Sequence, residues 1–235
     1  MKDALQVIRF SLRDFWDEFV LLVMISALWT LTLLLPTAPL FLLTNVPLLL
    51  VLGLMLLLAL PLPIISGAAC YVTNQVARGK AANWGTFWTG VKRYWLKSLV
   101  VALVNLVALI LLATNFQFYG VLLEGTWTRF ALAIWVLVTL CWFLVQVFWF
   151  PMLLELQDEK MLLALRNALL MALATPGFSL TLGVILAVLI VLCVMLVVPA
   201  MLFMAALILL VCNHATRSRL AYAQKKPYQP GIGDS

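Results

Sequence analysis

Trp88, Lys92, Arg93 and Trp95 stand together in the segment WGTFWTGVKRYWLK. Indole rings and cations in such a segment have two uses. They form a docking surface for a partner protein or an anionic lipid, or they simply hold a helix at the membrane–water boundary, where aromatic and basic residues are the norm. Arg166, in the later segment LLALRNALL, is a further candidate for docking. Asn105 and Gln146 interrupt long apolar runs. Intramembrane polar side chains can line a solute path, but two uncharged amides more commonly hydrogen-bond one helix to another. Pro61 and Pro63, with Gly67, break the run ALPLPIISGAAC. Such a break suits a substrate site in a discontinuous helix, or a kink whose freed carbonyls find other partners, and the kink is the simpler expectation.

Beyond these residues no reactive constellation stands out. His214 is the single histidine, so neither a His-rich metal site nor an H-E-x-x-H pair is available. The glycines form no phosphate loop, and no G-x-S-x-G elbow is present. Without an assembled acid, base or nucleophile, the expectation is a protein that is not an enzyme and has no cofactor or metal.

The elements that must position these residues follow from composition. The chain has 235 residues, of which 66% are hydrophobic and 10% charged, with a mean hydropathy of +1.13. Soluble domains carry about 25% charged residues, so this is an integral membrane protein. No segment alternates as a membrane-spanning strand does, which leaves an all-α bundle. The net charge of +6 does not imply a nucleic-acid partner, because no soluble domain exists to carry a basic patch. Cys70, Cys141, Cys193 and Cys212 fall in or beside apolar runs without C-x-x-C spacing and read as small buried hydrophobes. The opening MKDALQVIRFSLRDFWDEF mixes acids with bases and is not followed by a small-residue cleavage pattern, so no cleaved signal peptide is expected.

Apolar runs cover 19–36, 47–70, 98–114, 130–150 and 178–212. The last is too long for one straight span, since roughly 20 residues cross the hydrocarbon core. A split at VVPAM, with Pro199 opening the second half, gives six spans in three hairpins. Charge supports the split. Lys2, Arg9, Arg13, Arg78, Lys80, Lys92, Arg93, Lys97, Lys160, Arg166, Arg217, Arg219, Lys225 and Lys226 then share one side, with only Arg129 opposite them. By the positive-inside rule that side is cytoplasmic and holds both termini. Residues 1–220 form a single transmembrane domain. The tail 221–235, rich in Pro, Gly and charge, has nothing to bury and is expected to be disordered.

Each hairpin is preceded by a helix-like segment on the cytoplasmic side: 2–17, 84–97 and 158–173. At 100° per residue, Leu5, Ile8, Leu12, Phe15 and Trp16 share one face of the first, and Phe87, Trp88, Val91, Tyr94 and Trp95 one face of the second. Both describe amphipathic helices in the membrane interface, in contact with the lipid bilayer. The third segment belongs to PMLLELQDEKMLLALRNALLMA, which is too charged to span: residues 151 to 155 finish span four, QDEK turns the chain with Asp158 as N-cap, and the rest lies along the interface, partly buried against the bundle.

The chain resembles the YesL-like family of bacterial membrane proteins of unknown function. The resemblance rests on WDEFVLLVMISALWTLTLLLPTAPL as first span, GAACYVTNQVARGKAANWGTFWTGVKRYWLKSLV as an Arg-Gly turn with an aromatic-basic helix, and FWFPMLLELQDEKMLLALRNALLMALATPGFSL as an aromatic-Pro exit, acidic turn and Arg-Asn helix. It covers most of residues 1 to 220. A Lys- and Pro-containing tail and a very apolar last hairpin depart from the family pattern. The resemblance implies several helical spans in the cell membrane and a supporting role in carbohydrate uptake beside ABC-type permeases, with transporter subunits or a regulator as partners. It offers no catalytic motif to carry over. Two functions remain in view: a non-enzymatic accessory protein whose cytoplasmic helices dock a transport system, and a small-solute transporter or channel with a path near the Pro-broken second span.

Overall fold

Nearly every described residue is helical because a chain in lipid must satisfy its backbone hydrogen bonds internally. The computed structural model of the protein describes residues 2–42, 46–122, 125–196, 198–225 and 228. An N-terminal helix α1 (Lys2–Asp17) precedes α2 (Phe19–Leu34), which runs on through a tight turn of helix, Leu35–Thr37, into α3 (Ala38–Leu42). The second span is α4 (Leu48–Ala59) followed by α5 (Pro61–Ala77), and the third is α6 (Trp84–Gln117), which ends in five residues of wider π-type helix, Phe118–Leu122. Helices α7 (Thr126–Glu155), α8 (Met161–Ala174), α9 (Pro176–Met195) and α10 (Val198–Ala223) complete the chain.

Six helical segments are long and apolar enough to cross a membrane, the last two being Pro176–Met195 and Met201–Ala223. The chain is therefore an all-α, multi-pass membrane bundle, and the run 178–212 is two spans with the break at Leu196. Exposed Leu, Val, Ile and Phe side chains cover the outer faces of the first five, while the sixth, Met201–Ala223, is the most enclosed. On a soluble protein such a surface would aggregate, whereas in a bilayer it is the solvent-matched face.

Burial is uneven along the spans. The fully buried side chains concentrate toward the end of the bundle where α1, the α5–α6 turn, the α7–α8 turn and the end of α10 meet, hereafter the charged end. One cluster joins Phe148, Leu153, Leu182 and Ala215, and another joins Leu22, Ile25, Val72, Phe87 and Leu210. Helix α4, at the opposite end of the second span, buries only Val51.

The three connectors take different forms. Helix α1 is separate, as its pattern predicts, but only Leu5, Leu12 and Trp16 of the expected lipid-facing set are exposed; Phe15 is buried with Ala4, Val7 and Ser11 on a stripe that packs into the bundle. Segment 84–97 is not a separate helix. It forms the first turns of α6, since no proline interrupts 84–117, and Asn83 caps it by accepting from Thr86 N–H at 2.9 Å. Helix α8 buries Ala164, Ala168 and Ala172, a small-residue stripe at four-residue spacing that lets it lie close on the bundle. Asp158 is not its N-cap: Lys160 occupies that position without a side-chain cap, and the Asp158 carboxylate accepts from its ammonium at 2.9 Å. Of the tail 221–235 expected to be disordered, 221–223 continue α10 and Tyr228 packs against His214 and Phe10, while 226–227 and 229–235 lie outside the described residues.

Candidate functional site

The polar residues of the charged end form three linked clusters. At the centre lies Glu155, the last residue of α7. Its carboxylate accepts from Asn74 Nδ2 at 2.8 Å and from Arg78 Nη2 at 2.9 Å, and Arg217 Nε lies 3.8 Å away. Asn74 also donates to Asn213 Oδ1 at 3.2 Å, and Asn213 Nδ2 donates to Thr73 Oγ1 and to the Leu209 carbonyl, each at 2.9 Å. Arg217 donates in addition to the Ala77 carbonyl. One carboxylate thus ties together α5, α7 and α10. A buried pair of this kind holds because hydrogen bonds surround it, and it breaks badly when one partner is removed. Asn74 Oδ1 and Arg78 Nε remain buried without a partner among the described residues.

The second cluster is built on Glu159, whose backbone has φ of +47°, a left-handed conformation that costs a non-glycine residue energy. The surroundings hold it there: Tyr94 Oη donates to Oε1 at 2.7 Å, Arg93 Nη2 lies 2.6 Å from the same oxygen, and Lys97 Nζ bonds Oε2. Burial pushes the Glu159 carboxyl up, but hydrogen bonds from Lys97 and Tyr94 and the charges of Lys97 and Arg93 outweigh it, so the net shift is downward. The α7–α8 turn is thereby latched to α6.

The third cluster fastens α1. Asp14 Oδ2 lies 3.0 Å from Nε2 of the fully buried His214, whose Nδ1 meets the Tyr228 hydroxyl. Asp3 accepts from Arg219 at 2.7 Å, with the Arg219 guanidinium 3.8 Å above the Phe178 ring. Burial pushes the Tyr228 hydroxyl up, so it stays protonated beside the His214 ring. Among the described residues no three of His, Cys, Asp and Glu gather as a metal would require.

These contacts divide the residues singled out in the sequence. Trp88, Lys92 and Trp95 lie on one exposed face of α6, with Trp88 58% and Trp95 48% accessible. Arg93 and Lys97 point the other way, to Glu159, while Phe87 and Tyr94 are buried. Arg166 is exposed on α8. Asn105 Nδ2 donates to Gln146 Oε1 at 3.1 Å, the interhelical bond expected of two amides. Pro61 opens α5 after a one-residue interruption of the hydrogen-bond ladder at Leu60, whose backbone stays helical and whose N–H turns to the Leu57 carbonyl that Pro61 cannot serve. Beside this interruption a cavity of about 280 Å³ is lined by Pro63, Ser66, Ser98, Asn105, Phe150 and Leu209, among others.

Asn74, Glu155, Glu159 and Asn213 escaped the sequence reading. One signal does point to two of them: NQVAR at 74–78 and NHATR at 213–217 place Asn and Arg four residues apart, on one helix face, at the ends of two spans. Comparison of the chain with protein-family models, with curated proteins and with solved structures finds no match in any of the three.

Proposed function

We propose that this chain is a non-enzymatic accessory protein of a transport system, whose Trp88–Lys92–Trp95 face docks transporter subunits or their regulator. One observation carries the proposal. Helix α6 offers two exposed indoles and a cation on one side, while its other side is pinned through Arg93, Tyr94 and Lys97 to Glu159. A helix fixed in rotation presents a preorganised surface, which lowers the entropic cost of binding. Trp is among the usual anchors of such surfaces. The basic residues gathered at this end support a cytoplasmic orientation for it and for both termini, in the cell membrane. The YesL-like resemblance favours carbohydrate uptake as the setting.

Extraction in mild detergent followed by co-purification is the test. The expected result is a transporter component that accompanies the chain and is lost from a Trp88→Ala/Lys92→Glu variant that still folds. A chain that always emerges alone, with no effect of these substitutions in cells, overturns the proposal.

The alternative, a small-solute transporter or channel, draws on the cavity beside Pro63 and Asn105. Against a polar path, the Asn105 amide is engaged by Gln146 and the Val101 carbonyl, and the Ser66 and Ser98 hydroxyls by the Leu62 and Tyr94 carbonyls. Substrate-specific flux in reconstituted liposomes, over a panel of sugars and ions, would decide for transport.

A further inference from the structure

Helices α5, α6, α7 and α10 leave between them the cavity of about 280 Å³ beside the Pro61 interruption. Apolar side chains such as Leu62, Pro63, Val101 and Leu209 make up most of its wall, and among the described residues no charged one lines it. Gly67, Cys70 and Ser98 are buried, whereas Leu62, Ala102 and Asn105 are partly exposed, and Leu103 and Leu106, next on α6, are exposed. The mouth therefore opens on the lipid side of the bundle. Asn105 stands eight residues inside Lys97, roughly 12 Å along α6, a depth that the charged head of a phospholipid reaches only at high cost.

The polar groups of this wall have spent their hydrogens but not all their oxygens. Both Nδ2 hydrogens of Asn105 are used, by the Val101 carbonyl and by Gln146 Oε1, each at 3.1 Å. The Ser66 hydroxyl donates to the Leu62 carbonyl and accepts from Trp29 Nε1, and the Ser98 hydroxyl, which donates to the Tyr94 carbonyl, lies behind Gly67. Asn105 Oδ1 accepts from no donor among the described residues, and the contact of Nδ2 with the Val101 carbonyl fixes which end of the amide is the oxygen. A wall with an open acceptor and no open side-chain N–H or O–H among the described residues selects a ligand that donates. Water fits poorly, since a buried water needs about two to four polar partners and the cavity offers one.

We propose that this cavity binds a long-chain alcohol, a neutral lipid whose one polar group is a hydroxyl. Its O–H donates to Asn105 Oδ1, and its chain fills the apolar wall and leaves past Leu62 and Ala102 into the bilayer. The volume is about twice that of an engineered apolar cavity that admits benzene, which suits the first part of a chain and not a whole lipid. Ester, carboxylate and phosphate groups set acceptor against acceptor here and are turned away. An ammonium donates, but carries a charge that this wall cannot offset. The site is independent of the docking face, since Trp88, Lys92 and Trp95 lie outside the cavity.

The test reconstitutes the full-length chain in phosphatidylcholine vesicles with dodecan-1-ol bearing a mid-chain diazirine, or with the methyl ether of the same probe, and maps photolabelled peptides by mass spectrometry. Labelling of 62–70 and 98–106 is divided by labelling of the lipid-facing α4 in the same chain, which cancels the unequal partition of the two probes into the bilayer. The alcohol is expected to give a ratio about fivefold higher than the ether, and unlabelled dodecan-1-ol to compete it away. Asn105→Leu, which removes the acceptor, is expected to make the two probes equal. Thr139→Val, which removes a hydroxyl outside the cavity, is expected to preserve the preference. Should Asn105→Leu fail to fold, Ala102→Leu carries the test by filling the mouth: it is expected to lower labelling by the alcohol to that of the ether. Equal labelling by the two probes, as ordinary contact with bilayer chains would give, labelling that does not saturate, or a preference that survives in a folded cavity variant overturns the proposal.

Discussion

Asn74 on α5 and Asn213 on α10 meet side chain to side chain at 3.2 Å, and each is followed four residues later by an arginine that reaches Glu155. Two spans distant in sequence thus close on one carboxylate. Glu155 and Arg217 are nearly buried and Arg78 is three-quarters so, which keeps water from replacing the lost partner. Glu155→Ala leaves both guanidinium groups uncompensated and is expected to destabilise the bundle by about 3 kcal/mol. The loss should be read as a lower unfolding midpoint in detergent. Adding Arg78→Ala should cost less than the sum of the single changes, and strict additivity would remove the case for a coupled network.

The Glu159 latch predicts a pH dependence with a definite sign. Its carboxyl is held below the usual value, so its contribution to stability is complete above the unfolded carboxylate pKa of about 4.3 and is lost as pH falls through the folded value. The stability difference between the natural chain and Glu159→Gln should be constant from about pH 8 to 6 and shrink below about pH 4. A difference that instead grew on acidification would mean that Glu159 is held in its protonated form.

Helices α5 and α6 approach so closely that a Cβ on Gly67 would stand 1.8 Å from Ser98 Oγ and 3.0 Å from the Phe150 ring. Ser98 is buried and bonded to the Tyr94 carbonyl, which limits its retreat. Gly67→Ala is expected to cost about 1–3 kcal/mol by overpacking, and Ser98→Gly in the same chain to recover much of it. Thermal unfolding of the two variants distinguishes this from a loss that Ser98 does not govern.

Hydropathy exposes five apolar runs, and the length of the last together with the one-sided placement of Lys and Arg calls for the sixth span, because all of these are properties of contiguous residues. Pairings are not. Arg93 and Trp95 look alike in a local reading, yet Arg93 faces a glutamate 66 positions further along the chain while Trp95 remains outside. Phe15 likewise fits an amphipathic face until α10 provides Phe203, 5.8 Å from its ring. Glu155 reads as a residue that merely ends a greasy helix, since nothing in its own neighbourhood reveals that Asn74, Arg78 and Arg217 converge on it. The repeated Asn-x-x-x-Arg spacing is a local trace of that site, legible once its partner is known.

The Asn105–Gln146 contact separates a structural amide pair from a solute path. Gln146 Nε2 is buried without a partner among the described residues, so its Oε1 bond to Asn105 is what anchors the side chain between α6 and α7. Asn105→Leu removes that bond and strands a second buried polar atom, with an expected cost of about 1 kcal/mol. Replacing both residues with Leu removes every unpaired group at once and should be closer to neutral than either single change. If the pair only joins helices, the double variant will also support whatever cellular process depends on the docking face. A double variant that folds as well as the natural chain yet loses its role in cells would move these amides from the helix contact to the function itself.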